Sequence, residues 1–171
     1  DPRISILLPF WKNVFSEIDV DVKYICPLRN PFEVSNSMMK RDGISLSYGH
    51  VLWSIYNLDI IYNLDFKDLI FLNLDTIKSN VGVTKNILNN FLKEKINQKE
   101  FTNFKNDFFT KDLLNSFLGE QENITSIFIS DKFNELYKSI MLISDSLLEE
   151  NSYTETKKDL NNIRDYFIAD K

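Results

Sequence analysis

In the stretch YICPLRNPFEVSNSMMKRDG, residues 24–43, an arginine closes a short apolar run, Asn30-Pro31 makes a turn, and Ser37 stands eight residues beyond Arg29. Asn30, Pro31 and Glu33 together mark the start of a helix: an amide N-cap, a proline in the first turn and a glutamate at the capping-box spacing. From Asn30 to Ser37 is about two helical turns. The Ser37 hydroxyl therefore lies roughly 10 Å up the helix face that Arg29 can reach along. A planar cationic fork beside a neutral hydroxyl donor suits a phosphate monoester better than it suits a carboxylate alone. The same residues also have a plainer use, in which Arg29 pairs with a nearby acid and Ser37 bonds back to its own helix.

The elements that must hold these two residues can be read on either side of them. The run VKYICPL predicts a strand, and Gly43 ends the helix that follows. Apolar residues from Leu46 to about Leu64 keep helical spacing, DLIFLNL reads as a second short buried strand, and TKNILNNFLKEK as a helix after Gly82. Ahead of all these, ISILLPFWKNVFSEI predicts a helix from about Leu8, with Pro9 in its first turn. The order strand, two helices, strand, helix is a crossover unit. It predicts parallel strands covered by helices, with Arg29 at the carboxyl end of a strand, where ligands of such sheets bind.

Two strands make a narrow parallel sheet, so the pattern reads as the C-terminal part of a larger α/β domain. Residues 94–125 are polar with interspersed phenylalanines and predict a partly ordered loop. SDKFNELYKSIMLISDSLLEEN predicts an amphipathic helix capped by Ser130, and TKKDLNNIRDYFI a last one. The expectation is a single domain over 1–171, with an α/β core portion over 1–95 and a loop and helical tail over 96–171.

Composition narrows the chemistry. A net charge of -5 on 171 residues argues against a protein that coats nucleic acid, which needs a basic face. Cys26, the only cysteine, lies inside an apolar run and reads as a buried thiol. One histidine and one cysteine leave a His/Cys zinc site without ligands. There is no apolar run of about 18–20 residues and no basic-then-apolar leader pattern, so the expectation is a soluble, cytoplasmic protein. His50 is a lone helical histidine, and Trp53 and Tyr56 repeat at i and i+3; packing is the first reading of all three. Lys40 and Arg41 close the helix that carries Ser37, where cations favour the dipole; the sharper reading of the pair is steering of an adenosine phosphate.

The segment RNPFEVSNS resembles the 3'-phosphate-binding segment of the sulfotransferases that use 3'-phosphoadenylyl sulfate (PAPS). There an Arg-x-Pro turn leads into a helix bearing a serine at this spacing. The likeness extends to DPRISILLPFWKNVF, to RDGISLSYGHVLWSIYNL and to LIFLNLDTI, a strand ending in an acidic loop. It covers about residues 1–92 and is similar to a bacterial branch of the family.

The resemblance implies a P-loop-type sulfotransferase fold and in-line transfer of a sulfuryl group from PAPS to a hydroxyl or amine. The acceptor would be a small molecule or glycan, and no metal would be required. It places Arg29 and Ser37 on the two 3'-phosphate positions, makes Arg3 a further anion contact, and leaves Asp1 as the candidate base. The family's 5'-phosphosulfate loop, glycine-containing with a lysine or arginine, is not formed around Gly43, Gly49, Gly82 or Gly119 and is expected upstream of residue 1. The arginine-lysine-glycine contact of the cytosolic members is absent too. Two other readings stand beside this one. The first is a non-catalytic, sulfotransferase-like binding module. The second is a P-loop kinase, disfavoured because no glycine-lysine phosphate loop is visible.

Overall fold

The two apolar runs read as strands pair with each other. In the computed structural model, which describes residues 2–108 and 135–141 with positions 154, 155, 157, 158 and 160, β1 (Tyr24–Leu28) and β2 (Leu69–Asn73) form a two-stranded parallel sheet. The register sets Tyr24 opposite Leu69 and Leu28 opposite Asn73. The chain crosses between them through α2 (Pro31–Asp42) and α3 (Leu46–Asn63). Ahead of β1 lie a single 3-10 turn, Pro2–Ser5, and α1 (Leu8–Glu17). After β2 come α4 (Leu74–Ser79), α5 (Val81–Leu92) and α6 (Gln98–Phe108). The fold is mixed α/β and mostly helical.

Alternation along the strands divides the apolar residues between two faces. Leu28, Leu69 and Phe71 face a core shared with Trp53, Leu58 and Ile61 of α3, and Leu136, Ile140 and Leu160 complete it. Ile70 and Leu72 point the other way, onto Ile77, Leu88 and Phe101. Both faces of β2 are therefore buried, the usual condition of a parallel sheet.

Local chemistry explains where the site-bearing helices start and stop. The Asn30 side chain accepts a hydrogen bond from the Phe32 amide at 2.9 Å, and Pro31 occupies the first helical position. Gly43, at φ +70°, ends α2 in the left-handed region that glycine enters without a Cβ penalty. The Ser45 hydroxyl then caps α3 by accepting from the Tyr48 amide at 3.3 Å.

Three expectations change. Residues 98–108 are helix, not loop: the Asn97 side chain accepts from the Lys99 amide at 2.8 Å, and Phe101 packs on the second core cluster. The acidic stretch after β2 is the short α4, capped by Asn73 accepting from the Asp75 amide. Finally, α5 starts at Val81 on an Asn80 cap, which puts Gly82 inside its first turn. Residues 135–141 are helical. Ser130, and most of the last predicted helix, lie outside the described residues.

Candidate functional site

Arg29 directly follows Leu28, the buried last residue of β1. Its backbone is fixed from a distance: the Trp53 indole N–H, 24 residues on, donates to the Arg29 carbonyl at 3.1 Å. Its side chain is held locally, with Nε donating to Glu33 Oε2 at 2.8 Å. The glutamate expected to complete a capping box thus serves as an ion-pair partner for Arg29.

α2 divides its two serines by function. Ser35 is fully buried against α3, and its hydroxyl donates back to the Pro31 carbonyl at 2.7 Å. The approach is close enough that a Cβ on Gly49 would stand 2.8 Å from Ser35 Cβ. Ser37, two residues on, points elsewhere and lines a pocket of about 660 Å³. The back-bond considered for Ser37 is made by Ser35.

Arg29 and Ser37 line this pocket together. All five residues of β1 form one wall, with Arg41 of α2, Trp53 and Tyr56 of α3, and Ile4 and Leu8 from the N-terminal segment. Its volume lies within the range of small-molecule sites, and its body is largely apolar. The charged residues that line it are Lys23, Arg29 and Arg41, all basic. Each also holds an acid: Lys23 contacts Asp68 at 2.8 Å, Arg29 contacts Glu33, and Arg41 contacts Asp42 at 2.6 Å. An incoming anion must therefore compete with a carboxylate at each cation.

Burial tunes the neighbouring groups. The Cys26 thiol, on the pocket wall, is pushed up to about 12 by desolvation, which makes it a neutral packing group. Desolvation first, and the Asp68 charge second, raise Tyr24 above the ordinary phenol value. Hydrogen bonding from Arg41, reinforced by its charge, lowers the Asp42 carboxyl below its usual range.

The remaining sequence candidates are placed apart from this pair. Asp1 lies outside the described residues. Arg3 stands exposed on the turn Pro2–Ser5 and is not among the residues lining the pocket. His50 is buried, with Nδ1 2.7 Å from the Leu46 carbonyl and its ring against Phe32; it is not a pocket residue. Trp53 is in the core, as its spacing indicated, and also clamps the Arg29 turn. Arg41, read from the sequence first as a helix-end charge and second as a group that steers the adenosine phosphate, lines the pocket, whereas Lys40 does not. Its spacing of four from Ser37 puts both on one helix face, and that was the available signal. Among the described residues no cluster of His, Cys, Asp and Glu could hold a metal ion, and no helix is long and apolar enough to cross a membrane. Comparison with protein-family models, with curated proteins and with solved structures gives no match for the chain.

Proposed function

We propose that this pocket receives the 3'-phosphate end of PAPS and that the chain forms the acceptor-side and 3'-phosphate portion of a P-loop-type sulfotransferase. The observation that carries the reading is that Arg29, Ser37 and Arg41 line one largely apolar pocket, which runs along β1 to the carboxyl end where Arg29 stands. These residues fit the group. A dianionic phosphate competes for Arg29 better than a singly charged carboxylate does, Ser37 supplies a neutral donor, and the apolar wall accepts a purine. The donor's sulfuryl end needs a glycine-containing loop contributed by sequence outside these residues. In the transfer, the acceptor oxygen or nitrogen bonds to sulfur as the S–O bond to adenosine 3',5'-bisphosphate breaks, and the acceptor proton passes to a base, for which Asp1 is the candidate. The acceptor is a small molecule or glycan, and the protein acts in the cytoplasm.

Calorimetric titration with adenosine 3',5'-bisphosphate tests the site. Arg29→Ala should abolish binding, and Ser37→Ala should weaken it about tenfold or more, the worth of a hydrogen bond to a charged group. Affinity unchanged in Arg29→Ala would sink the assignment.

One observation favours a second reading, a binding module without chemistry. Gly43 caps α2, Gly49 packs on Ser35 and Gly82 lies in the first turn of α5, so none of these three forms a phosphate loop. Bisphosphate binding without sulfuryl transfer by the full-length gene product would select that reading.

A further inference from the structure

The pocket is longer than a phosphate requires. β1 forms one wall over its whole length, and from Tyr24 to Arg29 that wall runs about 16 Å at the rise of a strand. α3 follows it in the opposite sense. The Trp53 indole meets the Arg29 carbonyl, and Ile60 and Leu64, which also line the pocket, stand about 10 and about 16 Å further along the helix. Leu64 leads within five residues to Leu69, the partner of Tyr24, so α3 ends beside the start of β1.

Away from Arg29 and Ser37 these walls offer little hydrogen bonding. Cys26 and Pro27 of β1, Leu8 of α1, Ile60 and Leu64 are apolar or neutral, and burial pushes the Cys26 thiol up to about 12. Three side-chain donors of the lining are turned onto the chain's own carbonyls: Ser5 on Pro2 at 2.8 Å, Trp53 on Arg29 at 3.1 Å and Asn57 on Trp53 at 2.8 Å. A ligand body rich in polar atoms would leave some of them buried without partners, whereas an alkyl chain carries none.

We propose that the pocket takes the phosphomonoester of an aliphatic alcohol, with the phosphate at Arg29 and Ser37 and the chain laid along β1 toward Leu64. Charge favours the head. The charged residues that line the pocket, Lys23, Arg29 and Arg41, are all basic, and the carboxylate that Arg29 holds, Glu33, is singly charged where a phosphomonoester is a dianion. Length sets the tail: an extended chain of about ten to twelve carbons covers the wall. The inference rests on Arg29 and Ser37 forming a phosphate clamp, as in the proposed function, but needs no nucleotide. The ester and adenosine 3',5'-bisphosphate would exclude each other at Arg29.

Calorimetry of the 171-residue chain with inorganic phosphate and with n-alkyl phosphates of about four to about twelve carbons, each below the concentration at which it self-associates, tests the assignment. The expected result is one ester per chain, with affinity rising about twofold to fourfold per methylene and levelling off near about twelve carbons, where the chain outruns the wall. The matching alcohols, lacking the head, should bind about tenfold more weakly or less. Arg29→Ala should leave ester and alcohol alike. Ile60→Gln keeps a good helix former in α3 and should flatten the rise with chain length without weakening inorganic phosphate; the parent series decides if that variant does not fold. An affinity independent of chain length would overturn the proposal, and Arg29-dependent binding of adenosine 3',5'-bisphosphate beside it would leave the nucleotide reading standing. A rising series with no binding of the bisphosphate would support the proposal and overturn the nucleotide reading. Retention of the chain on phosphatidylcholine vesicles carrying the dodecyl ester, without uptake of the dissolved ester, would assign the affinity to a membrane surface and overturn the pocket.

Discussion

Replacing Gly49 with alanine tests the closeness of α2 and α3, on which the placing of Ser37 depends. The added Cβ would meet Ser35 Cβ at 2.8 Å, Ser35 Cα at 2.9 Å and Ser35 Oγ at 3.0 Å. Ordinary carbon contacts lie near 3.5–4.0 Å, so the helices must part by about 1 Å at this crossing. Ser35 is fully buried and its hydroxyl is engaged, so α2 backbone has to move and not a flexible tip. Such overpacking costs about 1–3 kcal/mol, while alanine in a helix recovers about 1 kcal/mol relative to glycine. The balance runs from about zero to a net loss of about 2 kcal/mol, with about 1 at mid-range. In urea this should lower the unfolding midpoint by roughly 0.5 M with the slope unchanged. The control is Gly82→Ala, where the new Cβ meets only Asn80 Oδ1 at 3.6 Å. There propensity acts alone and stability should hold or rise. Since α2 carries Ser37, Gly49→Ala should also weaken any anion bound at the pocket. A Gly49→Ala protein about 1 kcal/mol more stable than the parent, the propensity gain alone, would refute the close crossing and, with it, the account of how α2 is placed.

Gly43→Ala should cost about 1–2 kcal/mol for a different reason, since the site is open and the penalty comes from φ +70° alone; the urea midpoint reads it. Trp53→Phe keeps an aromatic ring in the core but removes the donor to the Arg29 carbonyl. It should lose about 1–3 kcal/mol and reduce bisphosphate affinity measured by calorimetry, and unchanged affinity would show that the clamp does not position Arg29. Cys26, raised from 9.0 to about 12, should carry about a thousandfold less thiolate at pH 8 than in the unfolded chain, and react with a thiol reagent correspondingly slowly. Because its folded value is the higher one, its contribution to stability is fully present below pH 9 and is lost as pH rises from 9 toward 12. The stability difference between the parent and Cys26→Ala, followed by denaturation across that window, should narrow.

What the sequence disclosed and what it hid differ in one physical respect. Signals carried by adjacent residues were legible: the Asn30-Pro31 start of α2, its stop at Gly43, and the two short strands with their crossover. Asparagine misled elsewhere. Asn73, Asn80 and Asn97 each accept amide hydrogen bonds at a helix start, yet in a chain this rich in asparagine Asn73 read as part of a strand, Asn97 as loop, and Asn80 gave no cap signal. α6 also repeats Phe101 and Phe104 at helical spacing, but only one turn of contact reaches the core, so no long period emerged. At the site, the capping-box spacing of Glu33 was visible, whereas its competing use by Arg29 was not. Two local motifs drew on one carboxylate, and the spacing does not say which prevails.

The placing of Arg29 depends on more than its own turn. Leu28 anchors the end of β1 in the core, Glu33 holds the guanidinium one helical turn on, and Trp53 reaches the carbonyl from α3. Trp53 in turn meets Tyr137 edge-on at 6.0 Å, within a core that Leu136 and Ile140 close. The helix at 135–141 therefore supports the indole that supports the Arg29 backbone. A lesion in that distant helix should act on the site through the core cluster that holds Trp53 and Leu28. Packing of this kind transmits displacement because a close-packed core offers few alternative positions to a side chain as large as tryptophan. The C-terminal helical segment is thus part of the scaffold that aims the site, and the strand-to-helix turn, legible on its own in residues 24–43, is held by residues more than a hundred positions away.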